Sequence, residues 1–287
     1  MSIGSGESRK CFRNTRRRSE YSRPTLFVAE GSGRNAARFS RGTGRSIVGS
    51  ANMTMMYFND HKLRFIRIPK NACSTVINSL GFSKTQGRNP HHVGEVFADV
   101  SPDAHEWPCL AVLRDPFERV VSAYLNKFTK ILPEELFVHE LVEYIWRAQR
   151  GKARPSSTSS VTFREFVTHL CAFPDEQLDP HWRSQSAFLT EQPTVCLWME
   201  TLQEQWSHHP LLRAIELKTY APHATRSDIS IGNNVLDVNG EVFLGFKEIC
   251  GQFPASSQFR DVELVGRIRA RFAADYALIE SVFGTSK

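Results

Sequence analysis

The sequence has no long apolar run. None of its 287 residues belong to a stretch of about eighteen consecutive apolar residues, the length that a membrane-spanning helix requires. The N-terminus also lacks the apolar centre of a signal peptide. From these absences we expect a soluble, cytoplasmic protein without a transmembrane segment.

Cysteine is sparse and shows no metal-binding spacing. The six cysteines are scattered, with no Cys-x-x-Cys pair and no Cys/His pattern of a zinc site, and no cluster of acidic residues points to another metal. We therefore expect reduced thiols and no metal.

Acidic residues are scarce in the first fifty positions. This segment holds eleven Lys and Arg against three acids, whereas the rest of the chain holds 25 against 27, so the excess positive charge lies in the tail. Its Arg, Ser and Gly content predicts a disordered basic extension over residues 1–52 and one domain over 53–287. The tail is interpreted as an inert extension; a targeting presequence, an RNA-binding arm or an over-extended start remain alternatives. The body's charge gives no reason to expect a nucleic-acid partner.

Strand and helix signals alternate along the domain. Apolar runs predict strands at Leu63–Ile68, Cys109–Arg114 and Val195–Met199. A helix should follow each strand, and apolar residues at helical spacing predict one long helix over Val265–Phe283. This alternation is typical of an α/β fold whose central, mostly parallel sheet is covered by helices on both faces.

Helix starts are marked by capping residues. Asp115 precedes Pro116, which suits an N-cap followed by the first helical residue. Capping boxes are predicted at Thr162–Glu165 and Thr201–Glu204.

The loop after the first strand has the groups that bind an anion. Pro69–Thr75 offers backbone N–H groups at a helix start, two hydroxyls, the Lys70 ammonium and small residues that allow close approach. It contains neither GxxxxGK[ST] nor a G-x-G-x-x-G pattern. A phosphate-like ligand is expected, and an ATP-dependent P-loop kinase is the disfavoured alternative.

Two longer motifs and three shorter ones resemble a known family. PKNACST (69–75) and LRDPFERVVSAY (113–124) resemble the 5′-phosphosulfate loop and the 3′-phosphate motif of the PAPS-dependent carbohydrate sulfotransferases, particularly the chondroitin 4-O-sulfotransferase branch. FREFV (163–167), PHW (180–182) and TYA with TRS (219–221, 225–227) follow in that family's order. The resemblance runs from about residue 64 to about residue 276 and implies a P-loop-like three-layer fold.

The resemblance also implies a cofactor and its binding residues. The donor would be PAPS, leaving adenosine 3′,5′-bisphosphate, with a carbohydrate or another hydroxyl-bearing acceptor and no metal. Lys70 would stabilise charge on the bridging oxygen, Arg114 and Ser122 would bind the 3′-phosphate, and Arg226 would contact a phosphate or an acidic acceptor. The implied cofactor-binding set is Lys70, Asn71, Ala72, Cys73, Ser74, Thr75, Arg114, Ser122 and Arg226.

The acceptor hydroxyl needs a general base, for which histidine is suited by its pKa. His92 is the first choice because relatives carry a histidine base in a His-Val pair between the two cofactor motifs. His181 is its competitor, and a lone glutamate such as Glu95 or Glu118 is a further alternative.

The chain also departs from the animal members of the family. It lacks their membrane anchor, which argues against a Golgi-type resident, and Ser186–Leu189 replaces a cysteine-containing segment, which leaves the acceptor open. Two alternatives to the transferase function stay open: a nucleic-acid-binding protein that uses the tail, and a relative that binds cofactor without turnover.

Overall fold

The sheet has four strands in a mostly parallel arrangement. A computed structural model describes residues 55–81, 100–219, 225, 227–232 and 235–284. The strands are β1 (Met55–Phe58), β2 (Leu63–Ile66), β3 (Cys109–Leu113) and β4 (Val195–Trp198), in that spatial order. β1 pairs antiparallel with β2, whereas β2, β3 and β4 run parallel. The predicted α/β fold is confirmed, although β1 was not predicted.

The central strand has apolar residues on both faces. Every residue of β3 is buried, as expected for a parallel strand covered on both sides. Leu110 and Val112 contact the core beneath α1, while Ala111 and Leu113 contact the core on the opposite face. Because the three parallel strands point the same way, their carboxyl ends meet at one edge of the sheet.

Eight α-helices lie in the described residues. They are α1 (Cys73–Ser79), α2 (Pro116–Lys127), α3 (Leu136–Arg150), α4 (Phe163–Ala172), α5 (Leu202–His208), α6 (Gly240–Cys250), α7 (Val262–Arg271) and α8 (Ala273–Phe283). Among them, none is both long enough and apolar enough to cross a membrane. The five cysteines of the described ranges are all free thiols, in agreement with the sequence.

Two of the predicted helix starts are confirmed. The Asp115 carboxylate accepts a hydrogen bond from the Glu118 N–H, and Pro116 is the first residue of α2. At α4, the Thr162 hydroxyl accepts from the Glu165 N–H while the Glu165 carboxylate accepts from the Thr162 N–H. Local sequence therefore fixes where both helices begin.

The capping box predicted at Thr201–Glu204 is wrong. A short 3₁₀ turn, Met199–Thr201, precedes α5, and the Thr201 side chain caps no backbone N–H. Its hydroxyl accepts a hydrogen bond from the Gln205 side chain instead, at 2.8 Å. Gln205 also accepts from the Trp198 N–H at 2.8 Å, so a glutamine links the end of β4 to α5.

The long C-terminal helix is two helices. α7 and α8 separate at Phe272, a buried residue with φ of −107° and ψ of 31°. Leu264 and Ile268 of α7 pack into the core around α2 and α4, whereas Ile279 of α8 packs against the sheet. Only the second half of the predicted helix therefore covers the sheet.

An aromatic core holds α2 against its neighbours. The Tyr124 ring lies 5.3 Å from Phe163 and 5.9 Å from Phe166, and its hydroxyl donates to the Val161 carbonyl. Trp182 of the His-Trp motif is buried in the same core, 5.7 Å from Phe128. This packing fixes the position of α2, whose polar residues reach the loop after β2.

Gly240 lies too close to the backbone of α2's last turn to accept a side chain. A Cβ at this position would stand 2.3 Å from the Phe128 carbonyl oxygen. We expect Gly240→Ala to cost about 1–3 kcal/mol of unfolding free energy through overpacking. Urea unfolding followed by circular dichroism measures this loss.

The matched control is Gly245→Ala in the same helix, where a Cβ meets no atom within 4 Å. It should be neutral or stabilising by up to about 1 kcal/mol, since alanine favours helix. Equal unfolding midpoints for the two variants would contradict the close contact.

Candidate functional site

The loop after β2 adopts left-handed backbone conformations without glycine. Lys70 has φ of 73° and Ala72 has φ of 53°. Such conformations cost about 1–3 kcal/mol each in non-glycine residues and persist only where neighbouring structure holds them. The Asn71 N–H closes the turn by donating to the Ile68 carbonyl at 3.2 Å.

Asn71 anchors this loop to the adjacent strand. Its buried side-chain amide donates to the Val112 carbonyl at 2.8 Å and to Gln185 Oε1 at 2.5 Å. Both its backbone N–H and its side-chain N–H groups are thus engaged within the protein. Asn71 therefore shapes the loop, and its expected contact with the cofactor stays a prediction.

The start of α1 follows directly. Its first backbone hydrogen bond runs from the Val76 N–H to the Ala72 carbonyl, 3.0 Å. The N–H groups of Cys73 and Ser74 precede that bond, in the turn where a helix leaves its donors to other acceptors. Cys73 is buried, while Ser74 and Thr75 are partly exposed.

Lys70 is a partly buried ammonium with a neutral partner. Its Nζ donates to Asn126 Oδ1 on α2 at 2.5 Å. The pKa of Lys70 is lowered to about 7, mainly by burial and next by the positive charge of Lys127. Arg114 and Arg119 act in the same direction, and the Cys73 thiol opposes them. An anion entering this cluster would find positive charge that the protein has not fully neutralised.

Arg114 meets the Lys70 loop. Its Nη1 donates to the Lys70 carbonyl at 3.2 Å, so the residues after β2 and β3 are in direct contact. Glu200 stands 3.7 Å from the same guanidinium. Burial raises the pKa of Glu200, against the opposing effect of Arg114.

Ser122 lies two turns into α2 and is mostly buried. Its hydroxyl accepts a hydrogen bond from Thr225 Oγ1 at 3.0 Å. Thr225 begins the TRS motif, so that short motif meets the 3′-phosphate motif in space. Arg226 and His92 both lie outside the described residues.

His181 shares the electrostatic surroundings of Lys70. Its Nδ1 lies 2.6 Å from Asp179 Oδ1, and its ring lies parallel to Phe137 with centroids 6.0 Å apart. Burial lowers the pKa of His181, Asp179 opposes this, and the charges of Lys127 and Lys70 lower it further. His181 is therefore close enough to Lys70 for the lysine's charge to lower the pKa of the imidazole.

Sequence reasoning missed Gln185. This fully buried amide accepts from the Arg114 N–H at 3.0 Å and donates to the Arg114 carbonyl at 2.8 Å, while also accepting from Asn71. Its own N–H donates to the buried Asp275 carboxylate at 2.8 Å. Gln185 lies in an irregular segment with no motif, so no local signal marks it.

Arg119 is the other overlooked residue. Its buried guanidinium donates to three carbonyl oxygens, of Pro69 at 3.0 Å, Arg183 at 2.6 Å and Pro180 at 3.2 Å. It thereby connects the start of the Lys70 loop to the turn that carries His181. Its place inside the 113–124 motif was the available signal.

The site is thus a cationic edge of an α/β sheet, where a lysine and an arginine that follow successive parallel strands are brought together. A model of the sulfotransferase family matches residues 53–234, well over half of the chain. The chain belongs to the sulfotransferase family. In the described residues, no group of three or more His, Cys, Asp and Glu is placed to hold a metal ion.

Curated relatives agree with the branch that the motifs resemble. The chain is 31% identical to carbohydrate sulfotransferase 14 of Mus musculus over 42% of its length, and 30% identical to that of Homo sapiens over 42%. It is 28% identical to the Danio rerio protein over 43%. The matches cover 35–37% of those relatives, so the chain spans about a third of their length. No solved structure matches significantly.

The expectation of a cytoplasmic location is wrong. The matched relatives are Golgi membrane enzymes, and a cytoplasmic location conflicts with that. Because the chain spans about a third of the relatives' length, the absence of an anchor from it does not decide location.

The lowered pKa of Lys70 predicts a pH dependence. A bound phosphate favours the ammonium, so affinity for adenosine 3′,5′-bisphosphate should fall as the pH rises above about 7, by up to about tenfold per pH unit until the pKa of the complex is reached. Without ligand, the folded protein releases the Lys70 proton near pH 7, whereas the unfolded chain keeps it up to about pH 10.5. The contribution of Lys70 to folding stability therefore rises as the pH increases from about 7 to about 10.5.

Calorimetric titrations between pH 6 and pH 9 measure the affinity. Lys70→Ala is the reference, because its titration contains every other titrating group of the protein and the same ligand phosphates. An equal pH slope in the wild type and in Lys70→Ala would contradict the prediction.

Proposed function

We propose that this chain transfers a sulfuryl group from PAPS to a hydroxyl of a carbohydrate or glycoconjugate. The supporting observation is the contact between the Arg114 guanidinium and the Lys70 carbonyl. It means that two strand ends, each with a cation suited to a phosphate, lie at one edge of the sheet. A nucleotide with phosphates at both its 5′ and 3′ positions matches that pairing.

Each end of the cofactor would use a different part of this edge. The hydroxyls of Ser74 and Thr75 and the first-turn N–H groups of α1 would bind the 5′-phosphate. Arg114 and Ser122 would bind the 3′-phosphate, by a charged fork and by a hydroxyl. Arg226 would add a contact to a phosphate or to an acidic acceptor.

The transfer itself requires positioning and charge stabilisation. In an in-line reaction the acceptor oxygen forms a bond to sulfur as the bond to the bridging phosphate oxygen breaks, and negative charge grows on that oxygen. Lys70 would stabilise this charge. Its pKa of about 7 in the free protein rises when an anion binds, so the bound cofactor favours the charged form.

His181 is the base that the described residues favour. The contact with Asp179 fits an Nδ1–H donor, which leaves the lone pair on Nε2 to accept the acceptor's proton. Its lowered pKa keeps the imidazole neutral near pH 7, the state that a general base needs. His92 stays the alternative implied by the family resemblance.

The carbohydrate acceptor is supported by the relatives. All three are named carbohydrate sulfotransferase 14. The proposal extends that acceptor class to this chain.

Loss of either cation should abolish transfer without unfolding the protein. We expect Lys70→Ala and Arg114→Ala to lower turnover by at least about 10²-fold, the usual effect of removing a preorganised charge-stabilising group. Radiolabelled PAPS with a panel of oligosaccharides measures transfer. Thermal unfolding checks the fold of each variant.

Lys130→Ala and Arg147→Ala are matched controls, since both side chains are exposed. Their turnover should equal that of the wild type. Calorimetry should also show binding of adenosine 3′,5′-bisphosphate in preference to ATP. Undiminished turnover in Lys70→Ala, or a preference for ATP, would refute the proposed function.

Removal of the base should affect chemistry more than cofactor binding. His181→Asn is expected to lower kcat by about 10²–10⁴-fold, with affinity for adenosine 3′,5′-bisphosphate changed less than about twofold. Asp179→Asn should cause a smaller loss, because it removes only the group that orients the imidazole. The exposed His105→Asn is the control. If His92→Asn abolishes turnover and His181→Asn does not, the base is His92.

A further inference from the structure

One stripe of α2 faces the cofactor loop. Arg119, Ser122 and Asn126 are spaced three and four residues apart, which places them on the same side of the helix. Arg119 donates to the Pro69 carbonyl, Ser122 pairs with Thr225, and Asn126 accepts from Lys70. Sequence analysis predicted a role for Ser122 and none for Asn126.

Asn126 offers the Lys70 ammonium a hydrogen bond without a negative charge. Its amide oxygen is 2.5 Å from the Lys70 Nζ. An ammonium has three N–H groups, so this contact leaves two for a ligand. A carboxylate in the same place would form an ion pair and compete with an incoming anion for the same cation.

The charges around Lys70 show why a neutral partner matters. The charges that act on the Lys70 ammonium come from α2, from the residue after β3 and from the first residue of α1. They belong to Lys127, Cys73, Arg114 and Arg119, and the charge of Lys70 in turn acts on His181. Lys127 already pairs with Glu135, and Arg114 has Glu200 nearby, so these neighbours carry carboxylates of their own.

We propose that Asn126 is a positioning residue, which holds the Lys70 ammonium at the cofactor loop through a neutral amide and leaves its charge available for the donor's phosphosulfate. This role deepens the proposed function and rests on it. Since Asn126 is one turn from Ser122, α2 would connect the groups that meet the two ends of the nucleotide.

Two substitutions of Asn126 should move Lys70 in opposite directions. Asn126→Asp adds a carboxylate 2.5 Å from the ammonium and should raise the lysine's apparent pKa by more than about one unit. Asn126→Ala removes the acceptor and should leave that pKa unchanged or lower. Acetylation of Lys70 by acetic anhydride, followed by mass spectrometry between pH 5 and pH 11, measures these shifts without any need for activity.

Cofactor affinity is the second measurement. We expect Asn126→Asp to weaken binding of adenosine 3′,5′-bisphosphate at pH 7 by at least tenfold, and Asn126→Ala to weaken it by less than Asn126→Asp does. Lys130→Gln is the control matched in charge, because it makes the same change of one unit at an exposed position just beyond α2. It should alter neither the labelling curve nor the affinity.

The outcomes separate this inference from the proposed function. Labelling curves and affinities in Asn126→Asp that stay within twofold of the wild type would overturn the role of Asn126, even if the wild type binds the nucleotide tightly. If the wild type fails to bind the nucleotide, the proposed function fails, and with it the cofactor role of Asn126. Thermal unfolding of both variants confirms that the comparison is between folded proteins.

Discussion

The geometry of the site depends on one side-chain amide. Gln185 pairs with both backbone groups of Arg114, as a neighbouring strand would, and also accepts from Asn71. It therefore ties the segment after β3 to the segment after β2. The left-handed residues of the Lys70 loop need such support, because no glycine relieves their conformation. A single buried residue thus fixes both strand ends on which the proposed cofactor binding relies.

Buried charge is arranged around this tie in two different ways. Asp275 is fully buried, and its carboxylate accepts from the N–H groups of Gln185 and Ser186 and from the Ser186 hydroxyl. Arg119 is buried with three carbonyl partners. Its pKa is lowered to about 10, mainly by burial, while the nearby charges of Asp275 and Asp175 favour its protonated form. Since hydrogen bonds satisfy each of these buried charges, both side chains stabilise the segments that they contact.

Local signals in the sequence were sufficient for the three parallel strands and for the starts of α2 and α4, whereas the pairing of Lys70 with Arg114 was expected from the family resemblance. Strands β2, β3 and β4 are short apolar runs, and the caps of α2 and α4 are marked within three residues. Gln185 could not be predicted, because its partners Arg114 and Asp275 lie 71 and 90 residues away along the chain. The break at Phe272 was hidden for the same reason, since the apolar spacing continues across it while distant contacts decide the bend.

Asp275 has a consequence for how this protein is divided into parts. The match to the sulfotransferase family ends at residue 234, whereas the carboxylate that holds Gln185 belongs to α8, which spans Ala273–Phe283. A fragment that ends at residue 234 would keep every motif residue and lose the buried Asp275 carboxylate. The structural unit that supports the site is therefore larger than the segment by which its family is recognised, and it includes the C-terminal helix.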